Sequence, residues 1–382
     1  MSDLSFFINE IKAEAEHLGF SLVGVTTPEA PEHFPFFQSW IDAGNHAGMS
    51  YLSNPVNVRR RSQPALIMPE CRSILVLGLP YPNPIPTLQE AQPPGTGKVA
   101  AYAWQENYHG WILAQGDELI KKLKDLFGPS VKARIFTDSA PILERELAAR
   151  AGLGWIAKNS CLISPTIGSF FLLAEVFTDI PAALTRQNIP DYCGSCRRCL
   201  EACPTHCILP DRSIDSRRCI SNLTIENKGI IPRNLRSSIG DWVFGCDICQ
   251  IVCPWNKKQV LHGNYKLPSF SRPPLQPHLK DEMLLSNDEF TVKYQQSPIL
   301  RPGHSGYLRN VAVALGNRPG EDSTDVLAHV LEIEQDALIR LHVAWALGRM
   351  KNARSKAALE RRLKIEPGPD VQEEIRLSLE ET

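Results

Sequence analysis

Neither sign of charge dominates this 382-residue chain, in which 41 Lys and Arg are balanced by 42 Asp and Glu. The balance excludes a global field that would draw the protein onto nucleic acid or an anionic membrane, so such a partner has to be met by a local patch. Long apolar runs are missing too: no stretch approaches the roughly 18 residues that a membrane-spanning helix needs. The opening residues Met1-Ser2-Asp3-Leu4 lack the basic and then apolar pattern of an export signal. The expectation is a soluble, cytoplasmic monomer without membrane contact. Disulfide staples are not needed by a chain of this size, and its 11 cysteines are odd in number. Most of them crowd between Cys193 and Cys253, which points to metal binding.

With 43% hydrophobic residues the chain can bury a full core, and its length suggests two or three domains. Leu4, Phe7, Ile11, Ala15 and Leu18 fall at helical spacing ahead of Gly19, which reads as an opening amphipathic helix. Short apolar runs at 22–25, 74–79, 131–136 and 170–177 alternate with helical patterns at 112–127 and 142–151, predicting a mixed α/β domain over 1–185. Pro82, Pro84, Pro86, Pro93 and Pro94 mark a long loop within it. Residues 186–262 form the cysteine-rich module, and 263–303 read as a proline-rich connector wrapping the surface. In 304–382, Val311-Ala312-Val313-Ala314-Leu315-Gly316 recurs as Val343-Ala344-Trp345-Ala346-Leu347-Gly348. This is the pattern of stacked helical hairpins of HEAT-like type, or of two separate core helices that each end at a C-cap glycine.

Cys193, Cys196, Cys199 and Cys203-Pro204 form the run C-x2-C-x2-C-x3-C-P, the bacterial ferredoxin pattern whose fourth cysteine ligates the other cluster. A shorter run follows at Cys246, Cys249 and Cys253-Pro254, and Cys219 supplies its missing member. Eight thiolates suffice for two [4Fe-4S] clusters. Interleaving assigns Cys193, Cys196, Cys199 and Cys253 to the first, and Cys203, Cys219, Cys246 and Cys249 to the second. A pair of zinc sites would use the C-x2-C pairs but explains neither the third cysteine nor the two Cys-Pro pairs. Cys71, Cys161 and Cys207 are left over and read as small buried apolar residues.

Asp138 follows an apolar strand and precedes a helix, within Thr137-Asp138-Ser139-Ala140-Pro141-Ile142-Leu143-Glu144-Arg145. A carboxyl among apolar neighbours can serve as a general acid, and an aspartate just before a helix can equally be its N-cap. That segment, together with Gly154-Trp155-x2-Lys158-Asn159, the Cys193–Pro204 run and Gly245-Cys246-Asp247-x-Cys249-x3-Cys253-Pro254-Trp255-Asn256, resembles the epoxyqueuosine reductases over nearly the whole chain. The tail from Leu308-Arg309-Asn310 to Gly316-Asn317 is similar to that family's HEAT-like region.

The resemblance implies an oxidoreductase that uses cobalamin and two [4Fe-4S] clusters, fed by an external electron donor, to convert epoxyqueuosine to queuosine at the wobble position of tRNA anticodons. It implies that Asp138 is the acid that protonates the departing oxygen. It further implies a corrinoid-binding α/β domain, with Arg61, Ala101, Tyr108, Asp138, Lys158, Asn159 and Ser160 reaching the cofactor. No D-x-H-x2-G motif occurs, so neither His46 nor His109 is expected to bind cobalt. For the anticodon stem-loop, the cationic pairs Arg197-Arg198, Arg217-Arg218, Arg233 with Arg236, and Lys257-Lys258 surround the cluster module. Two other readings are a corrinoid iron-sulfur reductive dehalogenase, which an export signal would favour, and a non-catalytic electron carrier, which leaves the α/β domain without a task.

Overall fold

A computed structural model describes residues 2–85, 93–104, 108–181, 189–262, 267 and 275–381. Pro86 of the proline-rich loop and most of the first part of the expected connector lie outside them.

Four strands, Leu22–Thr26, Ser73–Pro80, Phe171–Thr178 and Ala133–Phe136, form one antiparallel sheet in that order. Alternation along the inner strands separates two apolar layers. Leu75, Leu77, Ala174 and Val176 face the long helix Tyr108–Phe127 and the opening helix Ser2–His17. Ile74, Val76, Phe171 and Phe177 face the helix Glu144–Arg150. Gly19 stops the opening helix at φ +96°, a conformation that suits glycine.

The cysteine-rich module is tied to this domain by the strand Trp242–Phe244, which pairs in parallel with Lys98–Val99. Gly245 follows at φ +66°, and a Cβ there would stand 2.5 Å from the Cβ of Ala100, so only glycine lets the two segments approach. On the opposite side, the buried Arg309 guanidinium donates to the carbonyl oxygens of Leu223, Asn227 and Gly229 at 2.7–2.8 Å. Its neighbour Asn310 donates to those of Thr224 and Val243. Burial lowers the Arg309 guanidinium to about 10, which leaves it charged at neutral pH.

Five helices make the tail, Gly303–Asn317, Ser323–Ile333, Ala337–Met350, Ala353–Leu363 and Pro369–Glu380. Gly316 and Gly348 lie inside their helices and do not cap them. A Cβ on Gly316 would come within 2.7 Å of the Trp345 ring, and one on Gly348 within 2.7 Å of Ser378, so both glycines mark close helix crossings. The expected connector also differs from its reading. Its described part contains the helices Leu279–Met283 and Asn287–Tyr294, and Leu279, Met283, Phe290 and Tyr294 are buried. One apolar core runs from Tyr81 through the 220–244 segment to Ile375.

Within the tail, Glu366 accepts from Arg340 at 2.7 and 2.8 Å and from Arg362 at 2.7 Å. Burial works against its charge, but these guanidinium groups and the Gly368 N–H hold the carboxyl down at about 2. An unfolded glutamate titrates near ~4.3. The stabilisation is therefore complete above that pH and is lost as pH falls toward about 2. Glu366→Gln is expected to lower the unfolding temperature at neutral pH, and the gap to the unmodified chain should close on acidification, as followed by circular dichroism.

Candidate active site

Asp138 sits where strand Ala133–Phe136 gives way to a tight turn. The Ser139 N–H donates to the Thr137 carbonyl at 2.6 Å, and the Thr137 hydroxyl donates to the Leu173 carbonyl at 2.8 Å. The turn puts Asp138 at φ +54°. For a residue with a Cβ such a conformation costs on the order of 1–3 kcal/mol and persists only where its surroundings enforce it. Here the Asp138 N–H is claimed by Glu144 Oε1 at 2.9 Å. The following helix starts at Glu144 with Leu143 in the cap position, so Asp138 is not its N-cap.

The half-exposed Asp138 carboxylate accepts from the Tyr108 hydroxyl at 2.9 Å, with His109 Nε2 at 3.2 Å from the same oxygen. The Tyr108 and His109 rings stack at 4.0 Å, and Tyr102 meets Tyr108 edge-on. Desolvation by the surrounding protein raises the Asp138 carboxyl, but the His109 and Tyr108 contacts outweigh it and hold the group below its ordinary value. Glu144 moves the other way: burial, reinforced by the Asp138 charge, pushes it up to about 8. Glu175, opposite Val76 and Phe136 in the sheet, is fully buried, and neither carboxyl oxygen has a hydrogen-bond partner among the described residues. Burial and the neighbouring Glu144 and Asp138 raise it well above the usual carboxylate range. One carboxyl held toward its charged form thus stands in front of two pushed toward the neutral acid.

Arg61 borders this group. It is buried, packs over the Phe37 ring at 5.5 Å, and leaves Nη1 without a partner among the described residues. A buried guanidinium N–H in want of an acceptor fits a ligand carrying amide or phosphate oxygens, as a corrinoid does. Ala101 lies on the wall that meets the cysteine module, where its N–H donates to Asp247 Oδ2 at 2.7 Å. The side chains of Lys158, Asn159 and Ser160 are directed to the module itself. Lys158 Nζ donates to the carbonyls of Gly194 and Cys196 at 2.6 and 2.9 Å. The Asn159 amide donates to the Cys249 carbonyl at 3.3 Å, and the Ser160 hydroxyl donates to the Arg212 carbonyl.

The cysteines gather in two places. Cys193 and Cys253 pack with Trp155 and Trp255, and the Trp155 indole N–H points at Cys193 Sγ from 3.5 Å. Burial, with Cys193 and Cys253 alongside, pushes the Cys199 thiol up to about 11. Cys203, Cys207, Cys219 and Cys249 share a second apolar cluster, against which Cys199 also packs, and Cys246 is raised by burial with Cys219 and Cys203 nearby. Of the three cysteines left over, Cys71 behaves as expected: it is buried in an apolar layer, with its thiol donating to the Ser73 carbonyl at 3.2 Å. Cys207 is likewise buried in an apolar cluster, with its Sγ 3.5 Å from Cys203 Sγ, whereas Cys161 is only half-buried.

Of the cationic pairs, Arg197-Arg198, Arg217-Arg218 and Lys257-Lys258 are exposed. Arg233 and Arg236 are not a free surface. Arg236 is 1% exposed and pairs with Glu374 at 2.9 Å, while Arg233 pairs with Glu374 and Glu381, so both are spent on seating the last helix. Glu175 was missed by the sequence reading although a lone glutamate in the apolar run 171–178 was a signal. Cys161 and Cys207 carried no spacing that distinguished them.

Comparison with known proteins agrees with this arrangement. The family model for a 4Fe-4S double cluster binding domain matches residues 192–256, which include all eight expected ligands. The model described as Epoxyqueuosine reductase QueG, DUF1730 matches residues 61–139, from Arg61 to the Asp138 turn, and one for HEAT repeats matches 299–380. The epoxyqueuosine reductase of Pseudomonas aeruginosa is 38% identical over 345 residues, covering 89% of this chain and 93% of that one. The chain belongs to the epoxyqueuosine reductase family. The Escherichia coli member is 36% identical over 364 residues, covering 94% and 93% of the two chains. Among solved structures, epoxyqueuosine reductase with an epoxyqueuosine-modified tRNA-Tyr stem loop superposes with a TM-score of 0.88 at 28% identity, over 99% of each chain. So does the Bacillus subtilis enzyme, seen with an aspartate catalytic loop swung out of its active site, at the same score, identity and coverage. Among the described residues no helix is long and apolar enough to cross a membrane.

Removing the Lys158 ammonium leaves two carbonyls of the first cysteine loop without their charged donor, at about 1.5–3 kcal/mol for each such bond. Lys158→Ala is expected to lower iron retention under a chelator, with the loss confined to the Cys193, Cys196 and Cys199 loop in the EPR spectrum.

Proposed function

We propose that this protein reduces epoxyqueuosine to queuosine at the wobble position of tRNA, with cobalamin and two [4Fe-4S] clusters and an external electron donor. The observation that carries the reading is the junction at Ala101: the wall that leads to Tyr108 and Asp138 is bonded directly to Asp247, one residue from the cluster ligand Cys246. In this reading 1–185 is the catalytic domain, 186–262 the electron module, and 304–382 a helical tail reached through 263–303. The ligands are Cys193, Cys196, Cys199 and Cys253 for one cluster, and Cys203, Cys219, Cys246 and Cys249 for the other.

Arg61, Ala101, Tyr108 and Asp138, with the loop of Lys158, Asn159 and Ser160 at the module side, would hold the corrinoid. When bound, cobalamin and the clusters supply a strongly reducing centre that is recharged one electron at a time.

Converting the epoxide to an alkene releases its oxygen as water, which consumes two electrons and two protons. Asp138 protonates the departing oxygen. Its resting charge is held by Tyr108 and His109, so it takes up a proton only when the substrate oxygen draws one through it. Glu144, neutral below about 8 and bonded to the Asp138 backbone, is the nearby group able to replace that proton. Tyr108 and His109 fix the carboxylate's direction. Exposed Arg197, Arg198, Arg217, Arg218, Lys257 and Lys258 contact tRNA phosphates, which gives salt-dependent affinity, while the modified base is splayed out of its stack to reach the site.

Asp138→Asn should retain cobalamin absorbance and iron content while turnover falls by about 10² to 10⁴, the usual contribution of a positioned acid. Mass spectrometry of tRNA hydrolysates after anaerobic incubation with reductant checks it. Persistence of epoxyqueuosine with the unmodified, fully loaded chain would refute the proposed activity.

A further inference from the structure

Of the three thiols outside the ligand set, Cys207 is buried beside sulfurs assigned to the second cluster: its Sγ is 3.5 Å from that of Cys203, which also has the Thr205 hydroxyl at 3.5 Å. At the first cluster the Trp155 indole N–H stands 3.5 Å from Cys193 Sγ, and backbone N–H groups reach sulfurs of both clusters.

A hydrogen bond to a ligand sulfur stabilises the more negative, reduced state of an iron-sulfur cluster and so raises its potential. The second cluster also lies on the catalytic side. Cys246 packs in the same apolar core as Tyr102, and Asp247 bonds Ala101, whereas the first loop carries the exposed Gly194, Ser195, Arg197 and Arg198.

We propose that Cys207 is a non-ligand thiol that donates to a sulfur of the second cluster and sets its reduction potential above that of the first, so that electrons entering at the exposed loop run toward Asp138. Each transfer moves one electron and takes a cluster from its 2+ to its 1+ state. The thiol keeps its proton throughout, and no bond is made or broken. The inference rests on the ligand assignment given above.

The test is a dithionite titration of reconstituted protein followed by EPR, with iron content measured in parallel. Cys203→Ser and Cys253→Ser first identify the two signals. In Cys207→Ala, iron content should stay at two clusters, the midpoint of the second signal should fall, and that of the first should stay in place. Cys207→Ser, which keeps a hydroxyl donor, should recover part of the shift. An unchanged second midpoint in Cys207→Ala overturns the inference, as does loss of a cluster in that variant, which would make Cys207 a ligand. If Cys203→Ser and Cys253→Ser disturb the same signal, the ligand assignment itself fails.

Discussion

Loops that present thiolates in fixed directions have few backbone hydrogen bonds of their own, and the carbonyls they leave over have to be satisfied from elsewhere. The buried guanidinium of Arg309 does this for three carbonyls of the 223–229 segment, and the Asn310 amide for two more. Lys158 does the same on the opposite side for Gly194 and Cys196, and Asn159 for Cys249. The cysteine module therefore takes its shape from two scaffolds that grip its main chain. This explains why motifs far from the cysteines belong to the same family pattern.

The acid site follows a related logic with charge in place of hydrogen bonding. Asp138 and Glu144 are bonded neighbours whose surroundings push them in opposite directions, one toward the carboxylate and one toward the neutral acid. Separation of two carboxyl groups in this way is how a single site both keeps a charge and stores a proton. Glu175 behind them is fully buried without a hydrogen-bond partner among the described residues, and burial favours its neutral form.

Much of this was legible in the sequence where geometry imposes a spacing. Cubane ligation dictates the intervals between cysteines, and the two periodicities of helix and strand placed the main elements of the α/β domain to within a few residues. Local sequence left Asp138 undecided because a turn aspartate and an N-cap aspartate look alike until the helix start is known. It also could not show that Lys158, Asn159 and Ser160 reach across to the module, since their partners are mostly backbone carbonyls, which leave no trace in residue type. Arg233 and Arg236 read as surface charge because the glutamate that neutralises them lies near the end of the chain. Gly316 and Gly348 read as helix ends because the helix that crosses each of them is distant in sequence.

The unbroken apolar core from Tyr81 through the 220–244 segment to Ile375 has a consequence for how such a chain can diversify. A helical tail with its own closed core can be traded between proteins as a cassette, whereas this one shares its interior with the cysteine module. Substitutions on the face of helix Gly303–Asn317 that carries Arg309 and Asn310 are accepted only with matching changes between 223 and 243. Across relatives, the tail and the module are therefore expected to drift together as a single hereditary unit.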